Sequence, residues 1–367
     1  MRVVHVSYAH ITNYSDPEAW LKKINFYEEL LKAMAIEAEV KSVHCINYSG
    51  VLFKNNVEYH FLRIKKFQML FPWRVNRLVK SLNPDAVIVH GFHFPFKTLL
   101  LRWQLGSNVK IAIQHHAEQP LRHYKKTLQK LVDKCVSAYF FTSRNQARPW
   151  LEEMQIMNPK KIIAVMEVPS VFYPVDRVQA RIKTKVENSK TYLWVGRLET
   201  NKDPITLAKA FKIFAQSNSA VHLYLIFQSF ELIEEISEII AGNEARITLI
   251  GKIDHDDLLY WYNSVDFIVS TSHYEGSGVA VCEGMSCGCI PILTNIPSFE
   301  MMTNRGECGL LFKPGDVDDL INALQNSLKL SLEDERKKVL NQYNENLSAS
   351  AIASRMVGAF ASEAVKS

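Results

Sequence analysis

From Tyr192 onward the chain alternates short apolar runs with amphipathic stretches, and that alternation confines it to a parallel sheet covered by helices on both faces. Tyr192–Val195, Val221–Phe227, Arg246–Ile250, Phe267–Ser270 and Ile290–Leu293 read as strands. Between and after them, Leu232–Ala241, Asp256–Tyr262, Val279–Cys287 and Val317–Leu328 read as helices. A further helix follows the first of these strands, with Asp203 as its cap and Pro204 at its first position. The first half shows the same alternation less regularly. Strands are expected at Val3–Ser7, near Val40 and Val57, and at Ala86–His90, Val109–Gln114, Tyr139–Thr142 and Ile162–Val168. Helices are expected at Glu18–Met34, Phe71–Leu82 and Tyr124–Val136.

A chain of 367 residues exceeds the size at which one core keeps growing, so two α/β domains are expected. The hydrophilic segment 176–190, with Arg177, Arg181, Lys183, Lys185, Glu187 and Lys190, reads as a linker between a first domain, 1–175, and a second, 191–350. Residues 351–367 form a helix-prone tail. No stretch approaches the roughly 20 apolar residues of a membrane span, and Met1–Val6 reads as a strand, not a signal peptide. The expected location is therefore cytoplasmic, or peripheral at the inner face of a membrane. Six cysteines, among them Cys282, Cys287 and Cys289, lack paired metal-site spacing and fall in expected helix and strand, as buried reduced thiols do.

The residues with the most chemistry run from Thr271 to Met285. Two carboxylates, Glu275 and Glu283, stand eight positions apart around the turn Gly276-Ser277-Gly278-Val279, which follows a strand and opens a helix. The first N–H groups of a helix lack intrahelical partners and point at an anion, and glycine lets a phosphate approach the backbone. A phosphate contact flanked by two hydroxyl-accepting carboxylates suits a nucleotide sugar. Upstream, Arg197 and Lys202 sit between a strand end and a helix start, where open α/β sheets bind ligands and two cations neutralise a diphosphate.

The Glu275/Glu283 spacing resembles the E-x7-E motif of the family 4 retaining glycosyltransferases, the group 1 glycosyl transferases. Val195-Gly196-Arg197-Leu198-Glu199-Thr200-Asn201-Lys202-Asp203 is similar to the family's G-R-x4-K segment, and the order of elements from Arg246 to Phe312 follows the family as well. The resemblance implies the GT-B fold: two doubly wound Rossmann-like domains facing across a cleft, the first holding the acceptor and the second the donor. A C-terminal helix, 351–367, would cross back to the first domain. The implied activity is transfer of a hexose-type sugar from a UDP- or GDP-sugar to a glycan or lipid-linked hydroxyl, with retention, in polysaccharide or glycoconjugate biosynthesis.

In that family Arg197 and Lys202 would hold the diphosphate, Glu283 the ribose hydroxyls and Glu275 the reacting sugar. Lys252 and Ile253 would flank the nucleobase. A histidine facing the donor sugar is His116, with His115 as the alternative, and His90 and His93 would shape the acceptor pocket. No metal or other cofactor is implied. Two departures stand out: Ser7-Tyr8-Ala9-His10 replaces a glycine pair expected in the first strand-to-helix loop, and Gln228-Ser229-Phe230 replaces another. An epimerase of the same fold, or a non-catalytic sugar-nucleotide-binding homologue, remain competing readings.

Charge is shared unevenly. Residues 1–175 hold 24 Lys and Arg against 13 Asp and Glu, and the segment Arg63–Arg74 interleaves cations with Phe67, Leu70, Phe71 and Trp73. Such a segment has two readings, a partner in an anionic membrane surface or a solvated basic helix face with Phe67, Leu70 and Phe71 in the core; nucleic acid is not expected, because no recognition motif accompanies the charge.

Overall fold

The computed structural model describes residues 1–65, 68, 70–186, 190–243 and 246–361, and the chain divides into two compact units. The first comprises residues 1–169 with 349–367, the second residues 170–348. The boundary thus falls before the expected linker. Arg177–Thr184 is a helix of the second unit, capped by Asp176, with Arg177 paired to Asp266 at 2.5 Å. Glu187 lies outside the described residues.

The first unit holds an eight-stranded sheet in the order β3-β4-β2-β1-β5-β6-β7-β8. Its strands are β1 (Arg2–Ile11), β2 (Glu39–Ile46), β3 (Gly50–Lys54), β4 (Val57–Phe61), β5 (Ala86–His90), β6 (Lys110–Gln114), β7 (Ala138–Phe141) and β8 (Ile162–Ala164). All pairs are parallel except β3 with β4, an antiparallel hairpin turned by Asn55 and Asn56, both at positive φ. The expected helix over 18–34 breaks at Ile24 into Pro17–Lys23 and Asn25–Met34. The loop expected after Ser7 is instead strand: β1 runs on to Ile11 across an irregularity between Val6 and His10. A helix absent from the sequence reading, Pro95–Leu105, starts on its proline and ends at Gly106. The tail is helical over Ala349–Ala361 and packs on Asn25–Met34 within this unit.

The second unit carries a six-stranded, all-parallel sheet in the order β11-β10-β9-β12-β13-β14. Its strands are β9 (Lys190–Gly196), β10 (Val221–Phe227), β11 (Ile247–Gly251), β12 (Phe267–Ser270), β13 (Ile290–Thr294) and β14 (Leu310–Phe312). Strands buried on both faces read as unbroken apolar runs, and β12 and β13 are buried at every residue. Strand order reverses between β1 and β5 in one sheet and between β9 and β12 in the other. Beyond the carboxyl ends of such neighbours the connecting loops diverge and leave a crevice, the place where doubly wound sheets bind ligands.

Candidate active site

In the second unit that crevice is bordered by the loops after β9 and β12. Three hydrogen bonds tie the two loops: His273 N to the Asn201 carbonyl at 2.9 Å, Asn201 Nδ2 to the Tyr274 carbonyl at 3.0 Å, and Thr271 Oγ1 to the Lys202 carbonyl at 2.7 Å. The Lys202 ammonium reaches Glu275 Oε1 at 2.5 Å, and Ser272 donates to the same oxygen at 2.7 Å. Arg197 is more open, 61% exposed at its side chain, and pairs with Glu199 at 3.0 Å. Asp203 adopts the left-handed conformation, caps Thr206 N and accepts from His273 at 3.1 Å.

The helix Val279–Ser286 opens on Gly278, whose φ of 62° suits glycine and whose cap position offers no side-chain acceptor to the first-turn N–H groups. A Cβ at Gly278 would stand 2.6 Å from Phe299 Cε1. The ring of Phe299 therefore sets how closely the turn Gly276-Ser277-Gly278-Val279 packs; Ser277 is buried and Val279 exposed. One turn into the helix, Glu283 is buried and already bonded: His255 Nε2 lies 2.8 Å from one oxygen and the Tyr262 hydroxyl donates to the other at 3.0 Å. Burial and the adjacent carboxylate push the Tyr262 phenol well above its ordinary pKa, so it stays a donor. His255 stacks near Phe172 at 4.9 Å. Past β11, Lys252 is exposed and Ile253 packs on the apolar cluster of Tyr262 and Trp261.

In the first unit a second crevice lies at the β1/β5 reversal. It contains a cavity of about 380 Å³ lined by residues from the ends of β1, β2, β5 and β6 and from the first two helices, His90, His93 and His116 among them. The two histidines after β6 point apart. His115 is core: its ring stacks on Phe141 at 4.5 Å, its Nε2 meets the Glu118 carbonyl at 2.9 Å, and burial lowers its pKa. It does not line the cavity. His116 lines the cavity with Nδ1 2.5 Å from Glu167 and Nε2 3.1 Å from His90 Nδ1. Burial opposes its charge, but the bonded Glu167 carboxylate outweighs burial and raises its pKa.

Behind His116 the array continues. The Tyr27 hydroxyl sits 2.7 Å from His90 Nε2 and 2.6 Å from His5 Nδ1, and the rings of His116, His90 and His5 stack successively at 5.3 and 5.5 Å. Desolvation is the main cause that holds His90 well below its ordinary value, His5 at about 3 and His44 at about 4, so these imidazoles are neutral at pH 7. Glu167, Tyr27, His255 and Tyr262 were not singled out in the sequence. Each lies far along the chain from its partner, and no local pattern marks them.

The described cysteines are all free thiols, buried except for the half-buried Cys135. Among the described residues no His, Cys, Asp and Glu cluster fits a metal ion, and no helix is long and apolar enough to cross a membrane.

Residues 176–346 match the family model described as Glycosyl transferases group 1. The second domain belongs to that family. Arg197, Lys202, Glu275, the Gly278 turn and Glu283 all fall inside the matched segment. The chain is 22% identical over 253 residues to the GDP-mannose:cellobiosyl-diphosphopolyprenol alpha-mannosyltransferase of Xanthomonas oryzae pv. oryzae, covering 66% of this chain and 64% of that protein. It is 27% identical over 146 residues to the O-antigen chain mannosyltransferase B of Escherichia coli, covering 37% and 36%. The matches thus span about one third to two thirds of these relatives' length. Among solved structures, a glycosyltransferase from Rickettsia africae superposes with a TM-score of 0.73 at 16% identity, over 98% of this chain and 97% of that one. Anabaena HepE in complex with UDP gives 0.71 at 14% identity, over 98% and 100%. The fold is GT-B: both parallel-sheet, Rossmann-like domains are matched along nearly their whole length.

Proposed function

We propose that the chain is a retaining glycosyltransferase that moves a hexose-type sugar from a UDP- or GDP-sugar to a hydroxyl of a glycan or lipid-linked acceptor. The observation that carries the reading is the stapling of the loops after β9 and β12, which holds Arg197, Lys202, Glu275 and the Gly278 helix end at one sheet edge. A departing nucleoside diphosphate needs charge neutralisation that is in place before the bond breaks. Arg197 and Lys202 supply cations and the helix end supplies N–H donors, so the mechanism requires no metal. Glu283, fixed by His255 and Tyr262, accepts ribose hydroxyls; Glu275, fixed by Ser272 and Lys202, orients the donor sugar. Lys252 and Ile253 border the nucleobase. His116 is assigned to the donor sugar's reacting side, and His90 and His93 to the acceptor's.

The names of the relatives, which include transfer from GDP-mannose or UDP-Gal to diphosphopolyprenol- or diphosphoundecaprenol-linked acceptors, support a nucleotide-sugar donor and a lipid-linked acceptor. Peripheral attachment to an anionic membrane belongs to the same reading. The helices Trp73–Ser81, Pro95–Leu105 and His123–Asp133 bury their inner residues in one core and carry Arg74, Arg77, Lys80, Lys125, Lys126 and Lys130. Their one acidic residue, Asp133, is buried beside Lys161. Exposed rings pair on their surface, Trp73 with Trp103 at 5.9 Å and Phe71 with Phe96 at 6.1 Å. Lys66, Phe67 and Met69 of the basic segment lie outside the described residues. The test is incubation with a panel of UDP- and GDP-sugars, with and without lipid-linked glycans. Nucleotide release that depends on acceptor supports the transferase; turnover without acceptor, or binding without turnover, replaces it with an epimerase or a binding protein.

A further inference from the structure

The cavity of the first domain has walls unlike those of a phosphate site. Trp20, Phe26, Tyr27 and Phe94 give it aromatic sides, and Ser7 supplies a neutral hydroxyl; His44 lines it with both ring nitrogens bonded, to Trp20 Nε1 at 3.3 Å and Ser42 Oγ at 2.8 Å. No lining residue is Lys or Arg among the described residues. Lys97 holds its ammonium 4.5 Å from the Phe94 ring centroid and 5.4 Å from that of Tyr8, and it is not part of the lining. The two carboxylates that do line the cavity are committed. Glu118 accepts from Phe92 N at 2.9 Å and from His116 N at 2.6 Å, and Glu167 is paired with His116.

We propose that this cavity binds one uncharged pyranose ring of the acceptor and discriminates against a phosphorylated sugar. The proposal rests on the transferase reading and adds the charge class of its acceptor. A pyranose presents weakly positive axial C–H bonds on one face and hydroxyls around its rim. An aromatic ring offers a negative face to the first, and the Ser7 hydroxyl offers a partner to the second. A volume of about 380 Å³ lies near the lower end of small-ligand pockets, enough for one or two sugar rings. A phosphate monoester needs charge-assisted donors such as an Arg fork or a Lys. Here it would enter beside two carboxylates in a partly desolvated space, where like charges repel strongly. Three of the four lining imidazoles do not rescue it, because burial keeps His90 and His44 neutral and the His116 charge is answered by Glu167. Solved relatives with phosphorylated sugars in their names, such as sucrose-phosphate synthase of Thermosynechococcus elongatus, share this fold at 19% identity. Fold alone therefore leaves the acceptor's charge open, and the side chains of this chain decide it.

The test is a titration of the full-length protein, labelled with 13C at histidine, with methyl β-D-glucopyranoside, methyl α-D-mannopyranoside and the 6-phosphates of glucose and mannose. His44→Gln and His116→Gln assign the two resonances. A neutral glycoside is expected to shift the His44 and His116 signals saturably in the millimolar range, at least about tenfold more tightly than either 6-phosphate. Trp20→Ala, or Phe26→Leu, which trims the wall without touching the Trp20–His44 hydrogen bond, should weaken that response by a similar factor. Binding of a 6-phosphate as tightly as the glycosides, no response to any of the four, or a response indifferent to both wall variants would overturn the proposal. Thermal shift by UDP- and GDP-sugars in the same samples reads the second domain. Donor binding without a glycoside response sinks the cavity assignment alone, and failure of donor binding sinks the transferase reading.

Discussion

Replacing Gly278 by alanine adds a single methyl group at the point on which the donor site turns. Two costs follow from the structure. The residue sits at φ 62° and ψ 53°, where a side chain costs about 1–2 kcal/mol. The new Cβ would also lie 2.6 Å from Phe299 Cε1, inside a packed core where forcing extra atoms costs about 1–3 kcal/mol. The second domain should therefore lose about 2–5 kcal/mol, which at about 2–4 °C per kcal/mol is a clear drop in its unfolding temperature. Gly242→Ala is the control: φ there is +78°, yet no heavy atom lies within 4 Å of the added carbon, so only the backbone cost applies. Calorimetric unfolding of both variants, and of Gly278→Ala combined with Phe299→Leu, separates the two costs. The double variant should be more stable than the sum of its parts by about 1 kcal/mol or more. Titration with the donor should show a weaker Gly278→Ala complex, because the helix end is displaced from the phosphate. A Gly278→Ala loss no larger than that of Gly242→Ala, or an unchanged donor affinity, would refute the reasoning.

Arg197→Ala and Lys202→Ala should each weaken transition-state stabilisation by about 2–4 kcal/mol with little change in unfolding temperature; steady-state turnover of the purified variants checks this. His44 is neutral in the fold with a pKa of about 4, below its ordinary 6.5, so unfolding takes up a proton once the pH falls below 6.5. The stability it contributes is present above that pH and fades toward pH 4 at up to about 1.4 kcal/mol per pH unit; urea titrations of His44→Gln between pH 7 and 4 should show a shallower acid loss than the parent. Sedimentation with vesicles of rising anionic lipid content should retain the protein, salt should release it, and Trp73→Ala with Trp103→Ala should weaken retention; insensitivity to both lipid charge and salt would leave a soluble acceptor.

The parts of the fold legible in the sequence are those where one residue type repeats with one period. The five strands read from Tyr192 onward carry their identity in short, mostly apolar runs, and Asp203-Pro204 announces the helix that the structure starts there. The third strand went unread although Asn55-Asn56 marks its turn, because Gly50–Lys54 is a short edge strand that alternates half-buried with exposed residues and leaves Val51 and Phe53 exposed. The helix Pro95–Leu105 lacks an acidic first turn or a side-chain cap, and its apolar residues occur too densely to show one face. At the site, the glycine turn and its flanking charges are contiguous in sequence and visible there. Partners such as Glu167 for His116, 51 positions away, and Tyr262 for Glu283, 21 positions away, arise only when the fold brings separate loops or helices side by side. The sense in which His115 and His116 diverge depended likewise on where β6 ends.

The central claim is that Arg197, Lys202 and the Gly278 helix end hold a nucleoside diphosphate. Calorimetric titration of UDP, GDP and their hexose conjugates into the parent protein and into the Arg197→Ala, Lys202→Ala double variant addresses it without an acceptor. One nucleotide series should bind the parent and lose about 30-fold or more in the double variant, roughly 2 kcal/mol by the relation of affinity to free energy. Equal affinity in parent and variant, or no nucleotide binding to a folded parent, would contradict the account.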